Sequence, residues 1–196
     1  MADTGWLNAG TIETIAIDSK PDWEYPIRAQ TQNDFDSYSE ISTGDYTDYL
    51  RATNFSVDIP AGATIDGIEV RYDKWRAGGG FGEEIRDNHI YLVKSGSVIG
   101  GCTDKADTST NWPTSDTDTY TNYGAAADLW NCNLTESDVE DSTFGVELSA
   151  QCVGGFLTAA SRVDHVQIKV YYTEAGPEDV YSGKGIGRGI NRGVMR

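Results

Sequence analysis

Turn-forming residues interrupt this chain about every ten positions between Thr11 and Tyr172, and the stretches between them are rich in Val, Ile, Thr, Tyr and Phe. That spacing suits short strands and leaves too little uninterrupted sequence for long helices, so it points to an all-β fold. "TIETIAI" (11–17) and "YLRATNFSVDI" (49–59) read as half-buried strands, the second with Phe55, Val57 and Ile59 on one face. Pro60 and Gly62 then make a turn, after which Ile68, Val70 and Tyr72 point the same way along a further strand. The loop "AGGGFGEE" (77–84) leads into two glutamates and a strand carrying Ile90 and Leu92. A phosphate loop would instead open a helix bearing Lys and Ser or Thr, so a mobile connection is the expectation.

Between Gly100 and Asn133 the pattern weakens into Asp, Thr, Ser and Asn, which predicts long loops with short strands. "AAADLW" (125–130) has the only helical character, at most one turn. "STFGVELSAQC" and "SRVDHVQIKVYY" close the domain as two strands. The second sets Val166, Ile168, Val170 and Tyr172 on one face and His165, Gln167, Lys169 and Tyr171 on the other, so His165 is expected to face solvent or a neighbour. About eight strands arranged this way predict a jelly-roll-like antiparallel β-sandwich over residues 1–173. Residues 174–182 have linker composition, and 183–196 form a basic Gly-rich C-terminal arm.

Several chemistries find little material. No apolar run approaches the roughly 20 residues a membrane helix needs, and the opening "MADTGWLNAG" has no charged segment followed by an apolar one; synthesis and assembly inside a cell are expected. Cys102, Cys132 and Cys152 are odd in number and widely spaced, which favours buried free thiols over a disulfide framework or zinc site. His89 and His165 are the only histidines, no G-x-S-x-G elbow occurs, and no enzyme is expected. Acidic pairs such as Asp34 with Asp36, Asp116 with Asp118 and Glu83 with Glu84 match no known calcium loop and read as solvated. No metal or other cofactor is expected. Trp6, Trp23, Trp75, Trp112 and Trp130, with eleven tyrosines, suit a sandwich core better than a row of sugar-stacking platforms.

Charge is unevenly placed. The chain carries −16, but its last thirteen residues hold four cations and no acid, which leaves the remainder at −20. Such a body repels nucleic acid.

The runs "FSVDIPAGATIDGIEVRY", "YGAAADLW", "FGVELSA" and "SRVDHVQIKVYY", spanning Phe55 to Tyr172, together resemble a β-sandwich domain of tailed-bacteriophage virion proteins. The resemblance implies a structural part of a phage particle, a capsid decoration (cement), head-fibre, collar or tail component, and brings no catalytic residues with it. One departure is Asn131 after Asp128-Leu129-Trp130, where that family often has Gly; Asn also tolerates a left-handed backbone.

If residues 183–196 are extended, Lys184, Ile186, Arg188, Ile190, Arg192, Val194 and Arg196 share one face and the opposite face is mostly glycine. A segment of this kind suits strand addition to a partner's sheet edge, with its cations on an acidic surface. The expectation is a capsid decoration protein located in the virion and assembled in the host cytoplasm. It docks on the major capsid protein or another virion protein as a homo-oligomer, a trimer favoured, without nucleic acid or membrane. The alternative is a tail-fibre, collar or head-fibre module that binds a host receptor or glycan through aromatic side chains beside the 78–82 and 104–118 loops.

Overall fold

The computed structural model describes residues 1–176, so the arm positions Lys184, Ile186, Arg188, Ile190, Arg192, Val194 and Arg196, and most of the linker, lie outside the described residues. The described part is nearly all β. Its strands are β1 (Ala2–Asp3), β2 (Leu7–Asn8), β3 (Thr11–Ile15), β4 (Ser37–Ser42), β5 (Tyr49–Thr53), β6 (Thr64–Gly78), β7 (Glu84–Lys94), β8 (Ser97–Val98), β9 (Tyr120–Gly124), β10 (Gly145–Val153) and β11 (Thr158–Thr173). A 3₁₀ turn at Pro26–Gln30 and one helical turn, α1 (Glu136–Val139), complete the elements.

The last eight strands form two antiparallel sheets, one ordered β4-β11-β6-β9 and the other β5-β10-β7-β8. Numbered one to eight along the chain, these orders are 1-8-3-6 and 2-7-4-5, which is jelly-roll topology. Strand β3 extends the second sheet beyond β5, while β1, β2 and β4 line up end to end along the free flank of β11. The core lies between the sheets, where Ile68, Val70 and Tyr72 of β6 meet Ile90 and Leu92 of β7 and Leu148 of β10. Alternation in β6, β7 and β10 put these side chains on one face, as the period-two pattern requires.

β11 departs from that pattern once. Val163 pairs with Lys74 and His165 with Asp73, leaving Asp164 as the extra residue of a β-bulge. Its buried inward set therefore switches from Ala159, Ser161 and Val163 to Val166, Ile168 and Val170. His165 does lie on the outer face, yet it is buried, because the N-terminal segment folds across it. Its Nε2 lies 3.1 Å from Asn8 Oδ1 and its Nδ1 2.7 Å from the Tyr120 hydroxyl. Burial, reinforced by the Arg71 cation, lowers its pKa to about 4, so the ring is neutral near pH 7.

Other expectations need correction. The strand expected over 49–59 ends at Thr53, because Asn54 and Ser56 adopt left-handed φ of 58° and 52°; Phe55, Val57 and Ile59 are buried by irregular chain. "AAADLW" is a hydrogen-bonded turn, not a helix, and the helical turn comes later at α1. There Thr135 and Asp138 form a reciprocal capping box. The turn at 125–130 packs on β6. Trp130 is fully buried and donates Nε1–H to Ile68 O at 2.9 Å, and Gly124 (φ 77°) lies so close that a Cβ would be 2.2 Å from that oxygen. Asn131 takes φ 57°, the left-handed backbone that Asn tolerates.

The thiol expectation holds only for Cys152, which is buried and free; Cys102 and Cys132 are joined in a disulfide, Cα–Cα 4.7 Å. Thirty residues of separation hid the pair from spacing arguments, but Thr103 N–H donates to Trp130 O and draws the two loops together. Replacing both Cys102 and Cys132 with Ser is expected to lower unfolding free energy by about 3.5 kcal/mol, the value a 30-residue cross-link suggests. Urea titration of the oxidised wild type against the double variant measures it.

Between the sheets lies an ionic group. Lys74 of β6 and Asp87 of β7 are both buried and in contact; Asp87 also accepts from Trp112 Nε1 (2.8 Å), the Tyr123 hydroxyl (2.8 Å) and Asp107 N–H (3.0 Å). Burial drives the Lys74 pKa down, against the pull of Asp87. Removing one member strands the other: Lys74→Met is expected to cost about 3–5 kcal/mol, whereas Lys74→Met with Asp87→Leu recovers much of it. Denaturant melts of the two variants give the comparison.

Candidate functional site

Three strand connections meet at one end of the sandwich. The β6–β7 connection turns through 79–83, the β10–β11 connection through 154–157, and the β4–β5 turn brings Thr43 between them. Thr43 N–H donates to Leu157 O at 2.9 Å, its hydroxyl donates to Gly154 O at 2.9 Å, and Gly44 N–H donates to Cys152 O at 2.9 Å.

The side chain that organises this end is Glu83, fully buried. Its Oε1 accepts the backbone N–H of Phe156 (3.0 Å) and Leu157 (2.9 Å), and its Oε2 accepts Phe81 N–H (3.0 Å). Burial alone would raise the Glu83 pKa, but the converging amides outweigh it and hold the group at about 2. Gly155, with φ 57°, is required beside it, since a Cβ there would stand 2.3 Å from Glu83 Oε1.

This scaffold presents apolar side chains to solvent. Phe81 is 63% exposed, Phe156 75% and Leu157 49%, and the two phenylalanine rings stand 5.9 Å apart at 35°. Beside them Ser42, Thr43, Gly155, Phe156, Leu157 and Thr158 line an open cleft of about 620 Å³. A paired aromatic prong fixed from behind by hydrogen bonds is suited to burying apolar surface against another molecule. The 77–84 loop, expected to be mobile, has its tip tied by Glu83 to the β10–β11 connection more than seventy residues away, a link that no local pattern announces.

The remaining tryptophans take structural places. Trp23, Trp112 and Trp130 are buried. Trp6 has the Arg71 guanidinium 4.1 Å and the Lys169 ammonium 4.4 Å from its ring centroid, and Trp75 has Arg162 at 5.1 Å. Cations over these rings occupy positions a sugar face would need. Of the two loops considered for glycan contact, 78–82 carries Phe81 and 104–118 carries Trp112, whose indole N–H is committed to Asp87.

His89 has an orienting partner that the sequence did not reveal. Asp104 Oδ2 lies 2.7 Å from its Nδ1, and the Tyr91 hydroxyl is 2.9 Å from the same nitrogen. Among the described residues neither histidine hydrogen-bonds a serine hydroxyl or a thiol.

No protein-family model matches the chain, and no curated protein matches it in sequence. Among solved structures it is similar to a xylan-binding module CBM15, with 11% identity over 88% of this chain and 94% of that one and a TM-score of 0.32. A likeness that loose transfers neither detail of fold nor binding activity to this chain.

Glu83 sets a pH signature. Its ordinary pKa of 4.5 falls to about 2 on folding, so its stabilising contribution is complete above pH 4.5 and is lost as pH drops toward 2. Glu83→Gln is therefore expected to melt below wild type at pH 7, with the gap closing between pH 4.5 and 2. Calorimetric scans across that range check it.

Proposed function

We propose that this is a non-enzymatic structural protein of a tailed-phage virion, a capsid decoration protein that docks on the particle surface through the loop end of its jelly roll and is tied in by its basic C-terminal arm. The observation that carries the docking half of this reading is the Phe81–Phe156 prong, exposed yet held rigid by the buried Glu83 carboxylate. Exposed aromatic pairs on a fixed scaffold are the kind of feature that becomes an interface anchor, because little conformational entropy is lost on binding. The assignment to a phage particle rests on the sequence resemblance across Phe55 to Tyr172, and the arm's role on its alternation of basic and apolar residues.

The acidic body and basic arm are complementary, which favours contact between copies of the chain or with another acidic virion protein. A receptor- or glycan-binding role is less well supported, since cations face the accessible tryptophan rings.

Two variants test the reading in a particle-binding assay with purified virions lacking the protein. Phe81→Ser with Phe156→Ser is expected to melt like wild type and bind at least about tenfold more weakly. A chain ending at Gly176 is expected to keep the folded sandwich and lose stable attachment. Wild-type binding by both would overturn the proposal.

A further inference from the structure

On the outer face of the β11 sheet, opposite the core, two loops fold over the bulge at Asp164. The loop of residues 31–36 crosses from one side and the loop of residues 114–119 from the other, and both bring carboxylates. Oxygens of Asp73, Asp118 and Asp164 lie within 4.8 Å of one another, as do oxygens of Asp34, Asp116 and Asp118, so Asp118 joins five carboxylates into one cup.

Acidic side chains often gather on the surface of an acidic protein, and gathering alone would mean nothing. The floor of this cup is different. Asp73 is 2% exposed and Asp164 is fully buried, and among the described residues neither has a Lys, Arg or His within ion-pair distance. Asp164 is met by Asn33 N–H at 3.0 Å, and Asp73 Oδ2 accepts from Gln32 Nε2 at 3.0 Å. Among the described residues no donor reaches Asp73 Oδ1. The neighbouring cations are committed elsewhere: Arg162 pairs with Asp36, and Arg71 donates to Gln167 Oε1. Other buried carboxylates are met differently: Asp87 and Glu147 each have a cation in contact, and Glu83 has three backbone amides; Asp48, which accepts Ile17 N–H and has no cation, belongs to no carboxylate cluster among the described residues. Two buried negative charges without a counter-ion are costly, and the remedy proteins use is a paired cation or a metal ion.

We propose that this cup binds a calcium ion, with Asp73, Asp118 and Asp164 as inner ligands and Asp34 and Asp116 at its rim. The donor set is all hard oxygen, and it comes from β6, the β11 bulge and two separate loops. Such an irregular, oxygen-only arrangement suits the six to eight ligands and flexible geometry of calcium better than the strict octahedron of magnesium. The absence of histidine or thiol from the cluster disfavours zinc. Bound calcium would pin both loops to the outer sheet face.

Isothermal titration of the chelator-stripped full-length chain with calcium chloride at pH 7.5 tests this, alongside thermal melts. One equivalent of calcium is expected to bind, and the melting temperature to rise by about 5–10 °C at calcium near a hundred times Kd. Asp73→Asn with Asp164→Asn is expected to abolish binding while its metal-free form melts at or above the metal-free wild type, because two uncompensated buried charges are gone. The exposed Asp118→Asn, which does not threaten folding, is expected to weaken binding by about tenfold or more. Absence of binding by the wild type, an equal melting shift from magnesium at matched ionic strength, or wild-type calcium affinity in Asp118→Asn would each overturn the proposal.

Discussion

The contact between Lys74 and Asp87 holds the two sheets in register. One partner belongs to β6 and the other to β7, consecutive strands that lie in opposite layers. Through Trp112, Tyr123 and Asp107 N–H, the same carboxylate fixes the long 99–119 connection and the edge strand β9 against the layer interface. An apolar substitute would fill the space without specifying which strand sits opposite which. The placing of this group allows a chain with little helix and many loops to keep one arrangement.

The alternation of apolar residues made the sandwich legible, and it did so best where strands are long. Ile68, Val70 and Tyr72, or Ile90 and Leu92, announce both their strand and its buried face. The pattern failed where backbone conformation broke the alternation. Asn54 and Ser56 take left-handed angles in a run that otherwise reads as strand, and Asp164 inserts a residue that reverses the inward set of β11. Strands β1, β2 and β4 were missed for a different reason: the first two are two residues long, and all three are defined by the flank of β11 they cover, not by their own composition.

The loop end and the acidic cup were illegible for a common reason. Glu83 acts on Phe156 and Leu157, and Asp73 meets Asp164 and Asp118, across separations that only the jelly-roll path closes. Read locally, Glu83-Glu84 and Asp116-Asp118 are ordinary solvated pairs. Their chemistry appears only with burial, which for Glu83 is compensated by backbone amides and for Asp73 and Asp164 is not compensated by any cation among the described residues.

The position of β11 also fixes when this protein can become itself. It is the sixteen-residue final strand of the described chain, yet it lies inside its sheet, flanked along one edge by β6 and along the other by β4, β2 and β1. Until it emerges from the ribosome, β6 and β4 present bare edges and β1 and β2 have no partner at all. Until residues 158–173 are available this sheet lacks its central strand, and folding waits for a closure between segments far apart in sequence. The strongly acidic body gives those waiting chains mutual repulsion, which protects them from one another during that interval.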